Sequence, residues 1–233
     1  MIVGVTGLLG AGKTAFAVAR VGQVARRTGA LVASNIRLDI PGVECVQLPT
    51  GDDGVELGAL YDLRDRARAE GRGVVLLLDE VGLLLPARFW ASFPVPLLSF
   101  FTNSRKLRVD VVWVSQDEAD VESALRRRTQ YVYRVRRIPP SRTDVGRVPG
   151  RPLLLYVTRW LSGQVEKPTK RLGWEVVRWR REWERWYDTD ELVEPARRVM
   201  RAGRSAPRSL EGAERGRSSH PKGRNEVEAA LAP

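Results

Sequence analysis

The residues Gly7-Leu8-Leu9-Gly10-Ala11-Gly12-Lys13-Thr14 constrain this chain more than any other stretch. Their spacing, G-x-x-x-x-G-K-T, is that of a loop wrapped around phosphate groups. Glycines let the backbone turn tightly and present its N–H groups inward, with no Cβ to hold the anion away. Ile2-Val3-Gly4-Val5-Thr6, just before, reads as a short buried strand. Lys13 to about Arg26, just after, reads as a helix with Phe16, Val18, Val21 and Val24 among its apolar positions. A helix that starts here aims the positive end of its dipole at the same anion. Gly7, Gly10, Ala11, Gly12, Lys13, Thr14 and Ala15 are therefore expected to hold ATP, with Lys13 at the β and γ phosphates and the Thr14 hydroxyl on Mg²⁺.

A second motif matches the first. Val74-Val75-Leu76-Leu77-Leu78 is a continuous apolar run closed by Asp79-Glu80, as expected of a central parallel strand that delivers carboxylates to the phosphate site. Asp79 is expected to hold Mg²⁺ and Glu80 to orient or deprotonate an attacking water. The acid pair favours a hydrolase over a small-molecule kinase, where the nucleophile is a substrate hydroxyl. Val111-Val112-Trp113-Val114-Ser115-Gln116 ends a further strand in polar groups, and Ser115 or Gln116 is placed to sense phosphate or position water; a plain strand-end turn accounts for them equally. Arg105, Arg126, Arg127 and Arg128 are candidates for stabilising transition-state charge, with Arg105 and Arg127 foremost. An arginine that acts from a neighbouring subunit requires an oligomer.

Further strands are expected at Ala30–Ser34, Cys45–Leu48, Val109–Ser115 and Gln130–Val135, and helices at Glu56–Glu70, Leu97 to about Lys106, and Asp120–Arg127. Strands alternating with helices predict an α/β fold, a P-loop NTPase with a mostly parallel central sheet flanked by helices. After Pro139-Pro140 the pattern changes. Leu153–Val157 reads as a strand outside the main alternation. Trp174–Tyr187 reads as a helix, because Val176, Trp179, Trp183 and Trp186 recur at spacings of three and four. These segments predict a small C-terminal β/helical extension. From Ala196 onward no aromatic residue remains, and a disordered basic tail is expected. The expected division is an ATPase core over 1–137, a basic, Trp-rich extension packed on it over 138–195, and the tail over 196–233.

Composition excludes several classes. One Cys forms no internal disulfide, and one Cys with one His cannot build a zinc site of those ligands. The net charge of +11 is unevenly spread: residues 1–125 hold 13 Lys and Arg against 15 Asp and Glu, and residues 126–233 hold 26 against 13. A neutral half joined to a basic half points to a polyanionic partner, nucleic acid or a membrane surface. Neither a signal peptide nor a membrane-spanning run is evident, since the longest uncharged stretch, Phe89 to Ser104, is broken by Pro94 and Pro96. The expected location is the cytoplasm or a particle assembled there, or the periphery of a membrane.

Four segments together resemble the Zot (zonular occludens toxin-like) family of filamentous-phage assembly ATPases, within the broader HerA/FtsK-type P-loop ATPases. They are GLLGAGKT at 7–14, Ser34-Asn35-Ile36 after the second strand, LLLDE at 76–80, and the block from Ser104 to Arg137. The resemblance implies an ATP-driven motor for viral DNA packaging or for virion assembly and export, ring-forming, with Lys13 and Thr14 on ATP–Mg²⁺, Asp79 on the metal, Glu80 on water and Gln116 as sensor. Proteins of that family usually carry a membrane-spanning segment after the ATPase region. None is evident here, which shifts the expectation toward a soluble packaging ATPase. The basic C-terminal half would then contact DNA non-specifically, and the Trp-rich segment would pack on the core, dock on a capsid or membrane-protein partner, or lie at a membrane interface. The alternative is an ATP-binding assembly or scaffold factor with little turnover.

Overall fold

In the computed structural model, residues 1–49, 51, 55–87, 95–138, 154–161, 170–188 and 193 are described. Their strands form one sheet: β1 (Ile2–Thr6), β2 (Leu31–Ser34), β3 (Cys45–Gln47), β4 (Val74–Leu78), β5 (Val109–Ser115), β6 (Tyr131–Ile138), β7 (Leu154–Leu161) and β8 (Lys170–Arg178). Their order is β3-β2-β4-β5-β1-β6-β7-β8. Strands β1 to β6 pair in parallel, and β7 and β8 continue the sheet antiparallel from β6. The helices are α1 (Lys13–Thr28), α2 (Leu57–Ala69), α3 (Val81–Leu84), α4 (Val95–Asn103) and α5 (Ser123–Arg126).

The central strands β1 and β4 are buried at every position, as covering a sheet on both faces demands. On one face, Phe16, Val18, Val21 and Ala25 of α1 pack with Val5, Val32, Leu77, Val114, Val135 and Leu155. On the other, Leu60 and Leu63 of α2 and Phe100 and Phe101 of α4 pack with Leu76, Leu78, Val111 and Trp113. Trp113 is fully buried. Its indole Nε1 donates to Thr129 Oγ1 at 2.9 Å, and its ring fills the space a side chain on Gly4 would take. A Cβ at Gly4 would lie 2.3 Å from Trp113 Cζ2. Gly4→Ala is therefore expected to destabilise the fold by about 1–3 kcal/mol through overpacking, read as a lowered Tm in thermal denaturation. An unchanged Tm would mean that the Trp113 ring yields freely.

Three local readings are corrected. Trp174–Tyr187 is not a helix: it is most of β8 followed by a 3₁₀ turn, Arg181–Arg185. Between Leu172 and Arg178 the exposed positions alternate with the partly buried ones, a period of two. The tryptophan spacing imitates a helix only because it straddles the end of the strand and the turn. What decides the matter is β7, which supplies β8 with a hydrogen-bonding partner. The helix expected at Asp120–Arg127 is split into a 3₁₀ turn, Glu118–Asp120, and α5. Val121 leaves the helical path to pair with Pro86, and the Glu122 carboxylate restarts it by accepting from the Ala124 N–H at 2.9 Å. The strand expected at Leu153–Val157 is part of a longer element: from Leu154, β7 runs to Leu161 and belongs to the main sheet, while Leu153 lies outside the described residues. The region from Ala196 lies outside the described residues.

Candidate phosphate-binding site

Parallel pairing brings the carboxyl ends of β1, β2, β4 and β5 to one edge of the sheet, where ligands bind in open α/β folds. The loop after β1 is held from both sides. The Gly7 N–H donates to the Gln116 carbonyl at 3.3 Å, and the Ala11 N–H donates to the Leu8 carbonyl at 3.1 Å. Gly7 and Gly12 have to be glycine. A Cβ on Gly7 would sit 2.4 Å from the Val135 carbonyl oxygen, and one on Gly12 2.9 Å from Trp179 Cζ3. Gly12 also takes the left-handed conformation, φ 88°, as it caps α1. Ala11 and Ala15 are buried around the loop. The Lys13 side chain is buried as well, its Nζ donating to the Leu8 carbonyl at 3.3 Å. An ammonium is thereby held against the loop's own backbone.

Thr14 Oγ1 donates to the Asp79 carboxylate, 3.1 Å from Oδ1 and 3.2 Å from Oδ2. The Asp79 peptide is clamped by Asn35, which accepts from the Asp79 N–H at 2.7 Å and donates to its carbonyl at 3.1 Å. Burial first, and the neighbouring Glu80 charge second, push the Asp79 carboxyl up to about 6, against the opposing pull of Thr14 and Lys13. Glu80 itself is a non-glycine residue at φ 45°. A left-handed conformation there costs about 1–3 kcal/mol and recurs at functional sites. It places Glu80 in a cavity of about 410 Å³ shared with Ser115, Gln116 and Asp120.

The structure brings Lys13, Thr14, Asp79, Glu80 and Gln116 to one edge. It does not bring Arg105 or Arg127 there. Arg105 lines a cavity with Met1, Asp110 and Gln130, at the amino-terminal ends of β1, β5 and β6. Arg127 is exposed just after α5, ahead of β6 on that same edge. Arg128 hydrogen-bonds Thr102 of α4 at 2.9 Å.

Three contributors were missed by residue patterns. Asn35 stood in Ser34-Asn35-Ile36, one of the segments that carry the family resemblance, with no role assigned to it. Trp179 and Leu155 back Gly12, and Trp179 Nε1 is steadied by donating to Glu184 at 3.0 Å. Beyond them Trp183 and Trp186 are buried against α1. The Arg26 guanidinium lies 4.9 Å above the Trp186 ring. Tyr187 pairs with Leu38. Its phenol is pushed up to about 12, by burial and then by the charge of Asp79. It stays protonated at neutral pH, as a neutral wall close to that carboxylate.

Comparison with known proteins agrees with this geometry. Residues 1–140 match the family model for zonular occludens toxin (Zot). The Gene 1 protein of Enterobacteria phage I2-2 is 32% identical over 127 residues, covering 48% of this chain and 33% of the phage protein. The chain spans about a third of the length of the curated relatives it matches. Among solved structures, the N-terminal domain of zonular occludens toxin from Neisseria meningitidis aligns with a TM-score of 0.53 at 16% identity, over 80% of this chain and 98% of that one. The ATPase domain of a further solved protein aligns at 0.50 with 13% identity, over 80% and 84%. The fold is that of a P-loop NTPase, a mostly parallel sheet with an antiparallel extension.

Proposed function

This chain belongs to the zonular occludens toxin (Zot) family, and from that premise we propose that it is an ATP-hydrolysing motor for moving viral DNA in packaging or virion assembly, working as an oligomeric ring. The observation that carries the reading is the convergence of Lys13, Thr14, Asp79 and Glu80 at the carboxyl edge of the sheet. Residues 1–137 then carry the ATP chemistry, and from the extension over 138–195 Leu155 and Trp179 wall the site.

The residues suit Mg²⁺ and a nucleotide. The donors Thr14 Oγ1 and Asp79 are hard oxygens in mutual contact, and the buried Asp79 charge is costly without a cation. Bound Mg–ATP would supply an anhydride activated toward water and a counter-charge for Asp79. The loop N–H groups and Lys13 would hold the β and γ phosphates. Glu80 would take the proton of the attacking water, and Gln116, whose carbonyl already holds Gly7, would orient it. Arg105 and Arg127 lie on the opposite edge, so a part for either in catalysis would have to be played at the site of a neighbouring subunit. Among the described residues no helix is long and apolar enough to cross a membrane. We read the working location as the host cytoplasm or the virion, with peripheral membrane contact and a capsid or membrane-protein partner compatible with the exposed extension.

The test is phosphate release with and without single- and double-stranded DNA, alongside a mass measurement. DNA-stimulated hydrolysis by an oligomer is expected. DNA-independent hydrolysis by a stable monomer would overturn the motor, and ATP-dependent oligomerisation without phosphate release would replace it with an assembly or scaffold factor.

A further inference from the structure

The outward face of β6, β7 and β8 is furnished unlike the rest of the sheet. The core beneath α2 and α4 takes Val132 from β6 and nothing from β7 or β8. On the reverse side, Val135, Leu155 and Val157 pack against α1. The register therefore leaves one face of the extension outside both cores. Arg136, Tyr156 and Val176 lie side by side on it, as do Arg134, Thr158 and Trp174. Trp174 is 63% exposed and Val176 48%. The Tyr156 and Trp174 rings lie 6.0 Å apart at 34°, and the Arg134 guanidinium sits 5.2 Å over the Trp160 ring. Arg136 and Arg178 are exposed at the same face.

Charge is one-sided here. Outward positions of the three strands hold Arg134, Arg136 and Arg178 and no carboxylate. The acid of β8, Glu175, points the other way and pairs with Arg20 of α1. Among the described residues, Glu118, at the rim, meets Arg134, at 3.2 Å. Such a surface is a poor fit to a protein's apolar ridge, which would desolvate the exposed guanidinium groups of Arg136 and Arg178 and bring them no counter-charge. It also fits a duplex poorly, since a duplex offers phosphates but keeps its base faces stacked. Unpaired bases satisfy both halves of the chemistry: rings for stacking and guanidinium groups for the backbone.

We propose that the outward face of β6–β8, with Tyr156, Trp160 and Trp174 as stacking rings and Arg134, Arg136 and Arg178 as phosphate contacts, is a binding platform for a single-stranded polynucleotide. It deepens the DNA-motor reading by assigning the strand a surface and a form, and it rests on that reading for its role in the cycle. The location suits coupling. The Val135 carbonyl at Gly7 and the Leu155 side chain at Gly12 touch the phosphate loop, and the neighbours of both residues in sequence form the platform. An occupant would lie one sheet thickness from the nucleotide.

The test is anisotropy of fluorescein-labelled dT20, rU20 and a 20-base-pair DNA duplex with the nucleotide-free full chain. The single strands are expected to bind more tightly than the duplex. Trp174→Leu, at an exposed position that folding does not depend on, should weaken dT20 about tenfold through lost stacking. Arg136→Ala with Arg178→Ala should weaken it and flatten the salt dependence, by about 1.4 in the log–log slope. Arg27→Ala, an equal kind of charge loss on α1, should leave binding unchanged. Equal affinity for dT20 and rU20, or a preference for either of them over the duplex, supports the platform and tells which strand it takes. A duplex preference, no effect of Trp174→Leu, or equal loss in Arg27→Ala would overturn the platform. Because binding is read without nucleotide, a chain that hydrolyses ATP but leaves both single strands unbound sinks the platform alone. One that binds dT20 here but hydrolyses nothing sinks the motor alone.

Discussion

Lys13→Ala is expected to abolish ATP turnover with loss of nucleotide binding, and Glu80→Gln to abolish it with binding retained. The two changes act on different steps. Lys13 is buried in the loop with its ammonium against the Leu8 carbonyl, so its loss takes a cation from the phosphates where no other described side chain is placed to replace it. Electrostatic donors at such sites are worth about 10²–10³ in rate. Glu80 stands in the cleft with Ser115 and Gln116. Its amide replacement keeps shape and hydrogen bonding but cannot take a proton, a loss of about 10²–10⁴. Phosphate release and the binding of a fluorescent ATP analogue separate the cases. Glu80→Gln turnover at the wild-type rate would remove Glu80 from the chemistry.

Asp79→Asn is expected to stabilise the nucleotide-free protein while removing its response to Mg–ATP. Folding raises the Asp79 carboxyl from 3.8 to about 6. The folded state then binds this proton more tightly than the unfolded state does. Stability from this group is complete below the unfolded value and is lost as pH rises through the folded one. At pH 7 the buried charge costs roughly 3 kcal/mol. Asparagine carries no charge and still accepts from Thr14. Thermal denaturation at pH 5 and pH 8 should show the variant melting higher, with the gain larger at pH 8. Mg–ATP should raise the Tm of the wild type but not of the variant. A variant that melts lower at both pH values would show that the carboxylate is a structural asset.

How much was legible in advance follows from how local each signal is. The loop at 7–14 and the acid-ended strand at 74–80 are contiguous, and each carries its own backbone requirement, so their elements form where the residues imply. Gln116 was legible as a strand ending, and the parallel sheet brings that ending to the loop. The segment Trp174–Tyr187 misled because its tryptophans serve two elements in succession. Periodicity presumes one conformation throughout a window, and a strand running into a 3₁₀ turn violates it. Trp179, Tyr187 and Asn35 gave little warning, because each acts on a partner far away in the chain.

The sequence alone determined an α/β chain with a phosphate-loop motif and an acid-ended strand, and so the residues Lys13, Thr14, Asp79 and Glu80 on which the proposed chemistry rests, because those motifs are short-range solutions to holding phosphate. Tertiary structure alone decided three further matters: which strands share an edge, that Arg105 and Arg127 stand away from Lys13, and that β7 and β8 wall the loop with one face while turning arginines and aromatic rings outward with the other. The physical reason is strand register. A side chain's face is set by its pairing partner, and that partner is chosen by packing of the whole sheet.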